Sequence, residues 1–365
     1  MSRLPALSFL SAPRPSESAR TAPARVNSFT FNTERAVAKT AFKIVSLFSG
    51  CGGLDKGFEN AGFKIIWANE YDKSIWATFE ANYPNVPLDH RSITEISENE
   101  IPDCDGILGG PPCQSWSEAG AGRGINDKRG QLFYDYIRVL KAKQPKFFLC
   151  ENVSGILSSR HYKSFQEFLN KFEEAGYNVS WKLVNANDYN VPEDRERVII
   201  VGYRKDLNKK FIHPEPLEHK PNLKEAIGDL PEAVPAQKFN KANKDLDIPN
   251  HEYMTGGFSP IFMSRNRVRS WDEPSFTIQA GGRQAPLHPK APKMVKVEKN
   301  KQIFAPGHES EYRRLSVREC ARIQTFPDDY KFIYKDVSVG YKVIGNAVPV
   351  NLAYAMAMQI KKDLK

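Results

Sequence analysis

The sequence predicts an α/β protein: a mostly parallel sheet covered on both faces, joined to a second, smaller and irregular domain. Three observations carry that expectation. Short β-branched runs alternate with helical stretches from residue 42 to about 201, the rhythm of strands linked by crossover helices. The rhythm is lost between residues 213 and about 312, where prolines, lysines, asparagines and short polar segments dominate. Helical periodicity then returns near the C-terminus.

The elements follow in order. Residues 43–48, KIVSLF, read as the first strand, followed by glycines and a helix over 54–61. A second strand is expected over 64–68 and a helix over 74–82. Residues 106–108 form a third strand that runs into Gly109-Gly110-Pro111-Pro112. Helix 131–143, strand 147–150, helix 164–175 and strand 198–201 complete the first domain, and helices near 316–324 and 349–361 close the chain. There is no internal repeat.

Composition narrows the class. Charged residues make up 26% and the hydrophobic set 41% of 365 residues, a globular composition. The net charge of +9 favours an anionic partner, although a merely basic enzyme carries the same balance. No apolar run approaches the ~20 residues of a spanning helix, so no membrane is expected. Cys51, Cys104, Cys113, Cys150 and Cys320 are odd in number, and no pair has zinc spacing. A reducing, intracellular setting without metal or disulfide framework is expected.

Residues 1–41 stand apart. Arg3, Arg14, Arg20, Arg25, Arg35 and Lys39 face only Glu17 and Glu34, with serines and prolines between them. Organellar transit peptides share that composition. A disordered extension without an address is the preferred reading.

Four motifs carry chemistry. The first strand ends in Phe48-Ser-Gly50-Cys-Gly52-Gly53, where glycine permits a tight turn and close approach to a ligand. Glu70 follows Gly50 by twenty positions, the placement of a carboxylate that accepts from a ribose hydroxyl. Asp55 occupies the last glycine position of the GxGxxG pattern, which disfavours NAD. Cys113, in Gly109-Gly-Pro-Pro-Cys-Gln-Ser-Trp-Ser117, follows a strand and two stiffening prolines; a reactive thiol is preferred there over a buried structural one. Glu151-Asn-Val153 ends the next strand, placing an acid at the same edge as the thiol. Arg195-Glu-Arg197 puts two guanidiniums on one face of an extended segment, able to clamp a phosphate and a carbonyl oxygen.

In this order the motifs resemble those of the DNA (cytosine-5) methyltransferases: FSGCGG the cofactor loop, GGPPCQSWS the catalytic loop, ENV the glutamate motif and RER the arginine motif. RLSVRECARIQTFP (314–327) and GYKVIGNAVPVN (340–351) fit as well, so the resemblance runs from about residue 42 to the end. More narrowly, NEYDKSIW, GGPPCQSWSEAG, IFMSRNRVR and YKVIGNAVPVNLAY are similar to the HaeIII-type enzymes that modify GGCC.

The resemblance implies a Rossmann-like S-adenosylmethionine-dependent domain over residues 42–212, a target-recognition domain and hinge over 213–325, and a return to the catalytic domain over 326–365. It implies double-stranded DNA as substrate, S-adenosyl-L-methionine as methyl donor and no metal. The cytosine would be flipped out; Cys113 would add to C6, Glu151 would meet N3, Arg197 would hold O2 and Arg195 would brace the site. Phe48, Glu70, Pro111, Leu132 and Asn346 match cofactor contacts, with Gly50, Gly52 and Gly53 in the loop. A monomer inside the cell, with a cognate restriction endonuclease, completes the implied picture.

This sequence departs from the pattern at four places. Ser92 replaces the aspartate that receives the adenine amino group, Thr325 replaces a glycine, and Glu193 replaces a glutamine near the expected path of DNA phosphates, where it could repel them. The segment 281–287 also differs from the HaeIII-type recognition segment. Within 213–325, Arg265, Arg267, Arg269, Gln279, Arg283 and Gln284 form an Arg/Gln-rich set suited to guanine edges, or in part to phosphates. An RNA cytosine-5 methyltransferase and a weakly active DNA-binding paralogue are the alternatives.

Overall fold

The architecture follows from a period-two alternation of apolar residues. The computed structural model describes residues 41–112 and 128–365, and residues 41–365 form one compact unit. Its first eight strands are β1 (Lys43–Leu47), β2 (Lys64–Asn69), β3 (Leu88–Asp89), β4 (Gly106–Gly109), β5 (Phe147–Val153), β6 (Tyr177–Asn185), β7 (Glu193–Asp194) and β8 (Glu196–Arg204). All but the short β7 join one sheet in the order β3-β2-β1-β4-β5-β8-β6. The first five in that order are parallel, and β8 runs antiparallel to both β5 and β6.

Alternate residues face opposite cores. Ile44, Leu108, Phe147, Leu149, Ile199 and Val201 pack on one side. Val45, Ile107, Phe148, Cys150, Val198 and Ile200 pack on the other. Strands buried on both faces read as continuous apolar runs, which is why residues 43–48 and 147–150 stand out in the sequence. Helices α1 (Gly53–Asn60) and α2 (Lys73–Asn82) contribute Phe58, Ile75 and Phe79 to the first core. Helices α3 (Lys128–Lys143) and α4 (Tyr162–Glu174) contribute Ile137, Leu140 and Phe172 to the second. The short α5 (Leu223–Ile227) opens the irregular region, and α6 (Val317–Ile323), α7 (Val337–Asn346) and α8 (Val350–Asp363) close the chain against the first core. Phe262, Val268, Leu287, Ala291, Met294 and Tyr312 form a small separate core within the irregular region.

Of the elements that escaped the sequence reading, β6 and α7 are the longest. β6 is an edge strand whose Trp181, Lys182 and Leu183 are all exposed, so it shows no apolar run. α7 carries Val337, Val339, Val343, Gly340 and Gly345, residues that lower helix propensity. Packing overrides that preference: a Cβ on Gly345 would lie 2.3 Å from the Gln279 backbone, so the helix needs glycine to sit there. Val337–Asp363 does have the length and apolar content of a membrane span, but it is two helices broken at Ala347–Pro349 and largely packed inside the fold.

Candidate active site

The carboxyl edge of the sheet gathers the candidate residues. β1 lies between β2 and β4, the reversal point at which open α/β sheets form their ligand crevice. Phe48 and Gly50 leave β1 with left-handed backbones (φ 52° and 55°), a conformation costly for phenylalanine. Glu70, just beyond β2, fastens the turn: its carboxylate accepts from the Gly50 N–H at 2.9 Å and the Asp72 N–H at 2.7 Å. Burial pushes the Glu70 carboxyl up from its ordinary range.

The loop glycines divide by role. A Cβ on Gly50 would meet nothing within 4 Å, so this glycine borders open space. A Cβ on Gly52 would lie 2.6 Å from the Tyr83 ring, and one on Gly53 2.4 Å from the Val348 carbonyl. Those two make room for the protein's own chain rather than for a ligand. Tyr71, which the sequence reading passed over, is 71% exposed beside Glu70. Its signal was an aromatic residue directly after the ribose-type carboxylate. Ser92 caps a one-turn helix by accepting from the Thr94 N–H at 3.4 Å. Leu132 is half-buried against the second core, and Asn346 is exposed at the end of α7. Among the described residues no cluster of metal ligands occurs.

Beside this crevice, Glu151 and Arg197 meet across two strands. Val153 pairs with Arg197 and Glu151 with Ile199, so Glu151 and Arg197 are diagonal neighbours on one face, within reach of long side chains. Arg197 Nε lies 2.7 Å from Glu151 Oε1, with both side chains nearly buried. The Gly110 backbone runs alongside: a Cβ there would stand 3.2 Å from Glu151 Oε2. Asn152 donates from Nδ2 to the Pro111 carbonyl at 3.0 Å, tying the start of the Pro-Pro segment to β5. Cys113 itself lies outside the described residues. At the four other cysteines burial disfavours the thiolate. Burial pushes Cys51 and Cys104 up to about 12, and Cys150 and Cys320 are pushed up by burial as well. Cys150 adjoins Glu151 in sequence but points into the opposite core.

Arg195 differs from its neighbour. It is 1% exposed and donates to the main-chain carbonyls of Ile278, Gly345 and Ala347 at 2.7–2.9 Å. It therefore joins three chain segments and has no free fork for a phosphate. Glu193 is fully buried, 3.4 Å from Arg195 and accepting from the Ile278 N–H at 2.6 Å. The expectation that it stands near DNA phosphates is corrected: a side chain without exposure cannot reach one.

The Arg/Gln set of the irregular region splits in two. Arg267 is buried, donates to the Phe262 and Ile261 carbonyls and lies over the Phe262 ring. Arg269 pairs with Asp194 and Glu273 and lies over Phe276. Both point inward, against the expectation that they are available to bases. Arg265, Gln279 and Arg283 are exposed, Gln284 is half-buried, and no ion pair engages either arginine among the described residues. Arg314, given no separate role by the sequence reading, holds the Met254, Gly256 and Gly257 carbonyls and lies 4.1 Å from the Phe258 ring centroid. Its only signal was its place at the head of the RLSVRECARIQTFP block.

The glycine-turned loop and the acid–arginine pair, gathered at the carboxyl edge of one sheet, are the arrangement of a group-transfer enzyme. The chain belongs to the C-5 cytosine-specific DNA methylase family, whose profile matches residues 42–362. It is 58% identical to the Type II methyltransferase M.FnuDI of Fusobacterium nucleatum, over 88% of this chain and 95% of that one. It is 59% identical to M.NgoPII of Neisseria gonorrhoeae, over 88% and 96% respectively. Among solved structures, a prophage-encoded DNA modification methyltransferase from E. coli shares the fold, with a TM-score of 0.66 at 24% identity over 89% of this chain and 99% of that one. The Entamoeba histolytica methyltransferase EhMeth shares it with a TM-score of 0.65 at 16% identity, over 90% and 100%.

Proposed function

We propose that the protein methylates C5 of a cytosine flipped out of duplex DNA, within GGCC, through a covalent bond between Cys113 and C6. The observation that carries this reading is the Glu151–Arg197 pair, held 2.7 Å apart beside the segment leading to Cys113. The elevated thiols of Cys51, Cys104, Cys150 and Cys320 support it further, because none of them supplies a thiolate near neutral pH.

In the proposed reaction the Cys113 thiolate forms a bond to C6 and drives the ring electrons toward C5. Glu151 meets N3 and Arg197 holds O2, so the developing charge rests on groups already oriented by each other. S-adenosylmethionine, when bound, supplies an electrophilic methyl group to C5. Loss of the C5 proton to solvent and departure of the thiolate restore the aromatic ring. Arg195 acts as a positioning residue, keeping β8 against α7. The crevice fits the donor: Gly50 leaves an open face, Tyr71 offers a ring for the purine, and Glu70, Ser92 and Asn346 offer polar groups at its rim.

Arg265 and Arg283 suit guanine O6 and N7 in the major groove, with Gln279 and Gln284 beside them. Arg267 and Arg269 support the loops that present them. The relatives' designation as Type II methyltransferases supports a role opposite a restriction endonuclease, exerted by a monomer on intracellular DNA. The test is methyl transfer from tritiated S-adenosylmethionine to duplexes with and without GGCC and to tRNA. GGCC duplex alone should be labelled, and Cys113→Ser should label nothing. Equal labelling of both duplexes would reject GGCC, and labelling of tRNA alone would reject DNA.

A further inference from the structure

We infer that Phe239, at the tip of a hairpin outside the Arg/Gln set, is a further DNA contact; this rests on the reading of the protein as a DNA methyltransferase. Phe239 is 80% exposed, the most exposed large apolar side chain among the described residues. It also holds a left-handed backbone, φ 62°, followed by Asn240 at φ 56°. Tight turns place glycine or asparagine in that region, and a bulky ring is disfavoured there. A ring both strained and bared to solvent returns nothing to folding, and such outliers mark functional positions.

The tip is rigidly placed. Gln237 and Lys241 pair across it, and Lys241 is engaged by Asp336 at 2.8 Å. Asn240 Oδ1 accepts from the Thr255 N–H at 2.7 Å and from its hydroxyl at 3.1 Å. Thr255 opens the segment whose Gly256 and Gly257 carbonyls Arg314 holds and which leads to Arg265. The hairpin is thus continuous with the proposed recognition loop. Lys238 Nζ lies 5.2 Å from the Phe239 ring centroid and has no acidic partner among the described residues. A ring beside an unpaired ammonium matches a polymer that alternates apolar base and sugar surface with phosphate.

The test compares wild type, Phe239→Ala, Phe239→Gly and Lys238→Ala for binding a duplex of about two helical turns that wild type methylates. Both Phe239 variants should bind about tenfold more weakly, the effect of losing one aromatic contact with nucleic acid. Their salt dependence should be unchanged, because a ring releases no counterion. Lys238→Ala should lower the slope of log affinity against log salt by about one. Phe239→Gly should also unfold at a higher temperature than wild type, since glycine relieves the strain, so weaker binding cannot be blamed on lost fold. Wild-type affinity in Phe239→Gly would overturn the inference while leaving the methyltransferase reading intact. Failure of wild type to methylate any DNA would sink both.

Discussion

Asp55 shows how far a single side chain can sit from its ordinary chemistry. It is fully buried in the first turn of α1, where Ser46 and its own main chain supply the hydrogen bonds to its carboxyl. Burial pushes it up to about 7, and the neighbouring Ser46 offsets only part of that. Between about pH 4 and 7 the folded protein therefore keeps a proton that the unfolded chain has lost. Stability contributed by this group is fully present below that window and lost as pH rises through it. Asp55→Asn should flatten the fall of melting temperature from pH 5 to 8, and an unchanged profile would refute the assignment. In the sequence this aspartate registered only as the residue that breaks GxGxxG. Glu151 and Arg197 were legible because each sits at the end of an apolar strand. The inward turn of Arg267 and Arg269 was not, because their partners Ile261, Phe262 and Asp194 are set by tertiary contact rather than by spacing.

At the scale of elements, the joint between α6 and α8 explains Thr325. This residue holds φ 60°, which a β-branched side chain tolerates poorly. Its hydroxyl accepts from the Asn351 N–H at 2.9 Å in the first turn of α8, where Pro349 stands at the cap and offers no side-chain oxygen. Thr325 thus caps a helix that cannot cap itself. Thr325→Ala should cost about 1 kcal/mol in denaturant unfolding. Thr325→Gly should cost less, because the lost cap is offset by relief of strain. Equal losses would exclude that explanation. The link from β5 to the Pro-Pro segment is tested by Asn152→Ala. Freeing the Pro111 carbonyl should cut kcat about tenfold or more while lowering the melting temperature only slightly. A large stability loss with unchanged kcat would make Asn152 purely structural. Strands buried on both faces were legible as apolar runs. β6 and α7 were not, since one spends its side chains on solvent and the other depends on glycines at close contacts.

Across the whole molecule, the irregular region is not a separately folded appendage. Met254, Ile278 and Ala285 belong to the same apolar cluster as Phe58 of α1 and Ile344 of α7. Arg195 binds carbonyls on both sides of the junction, Ile278 and Gly345. Residues 41–365 should consequently unfold in one transition, with calorimetric and van't Hoff enthalpies in agreement. Two resolved transitions would show that the irregular region folds by itself. Replacing Arg195 by Ala should abolish stable folding at physiological temperature, because several buried carbonyls and Glu193 would lose their partner. The central claim is covalent catalysis by Cys113, and trapping tests it most directly. A duplex carrying 5-fluorocytosine at the target position cannot release a C5 proton, so the covalent complex should accumulate with S-adenosylmethionine. Peptide mass mapping should then place the modified base on Cys113, and Cys113→Ser should form none. An adduct on another residue, or sustained methylation of ordinary DNA by Cys113→Ser, would contradict the account.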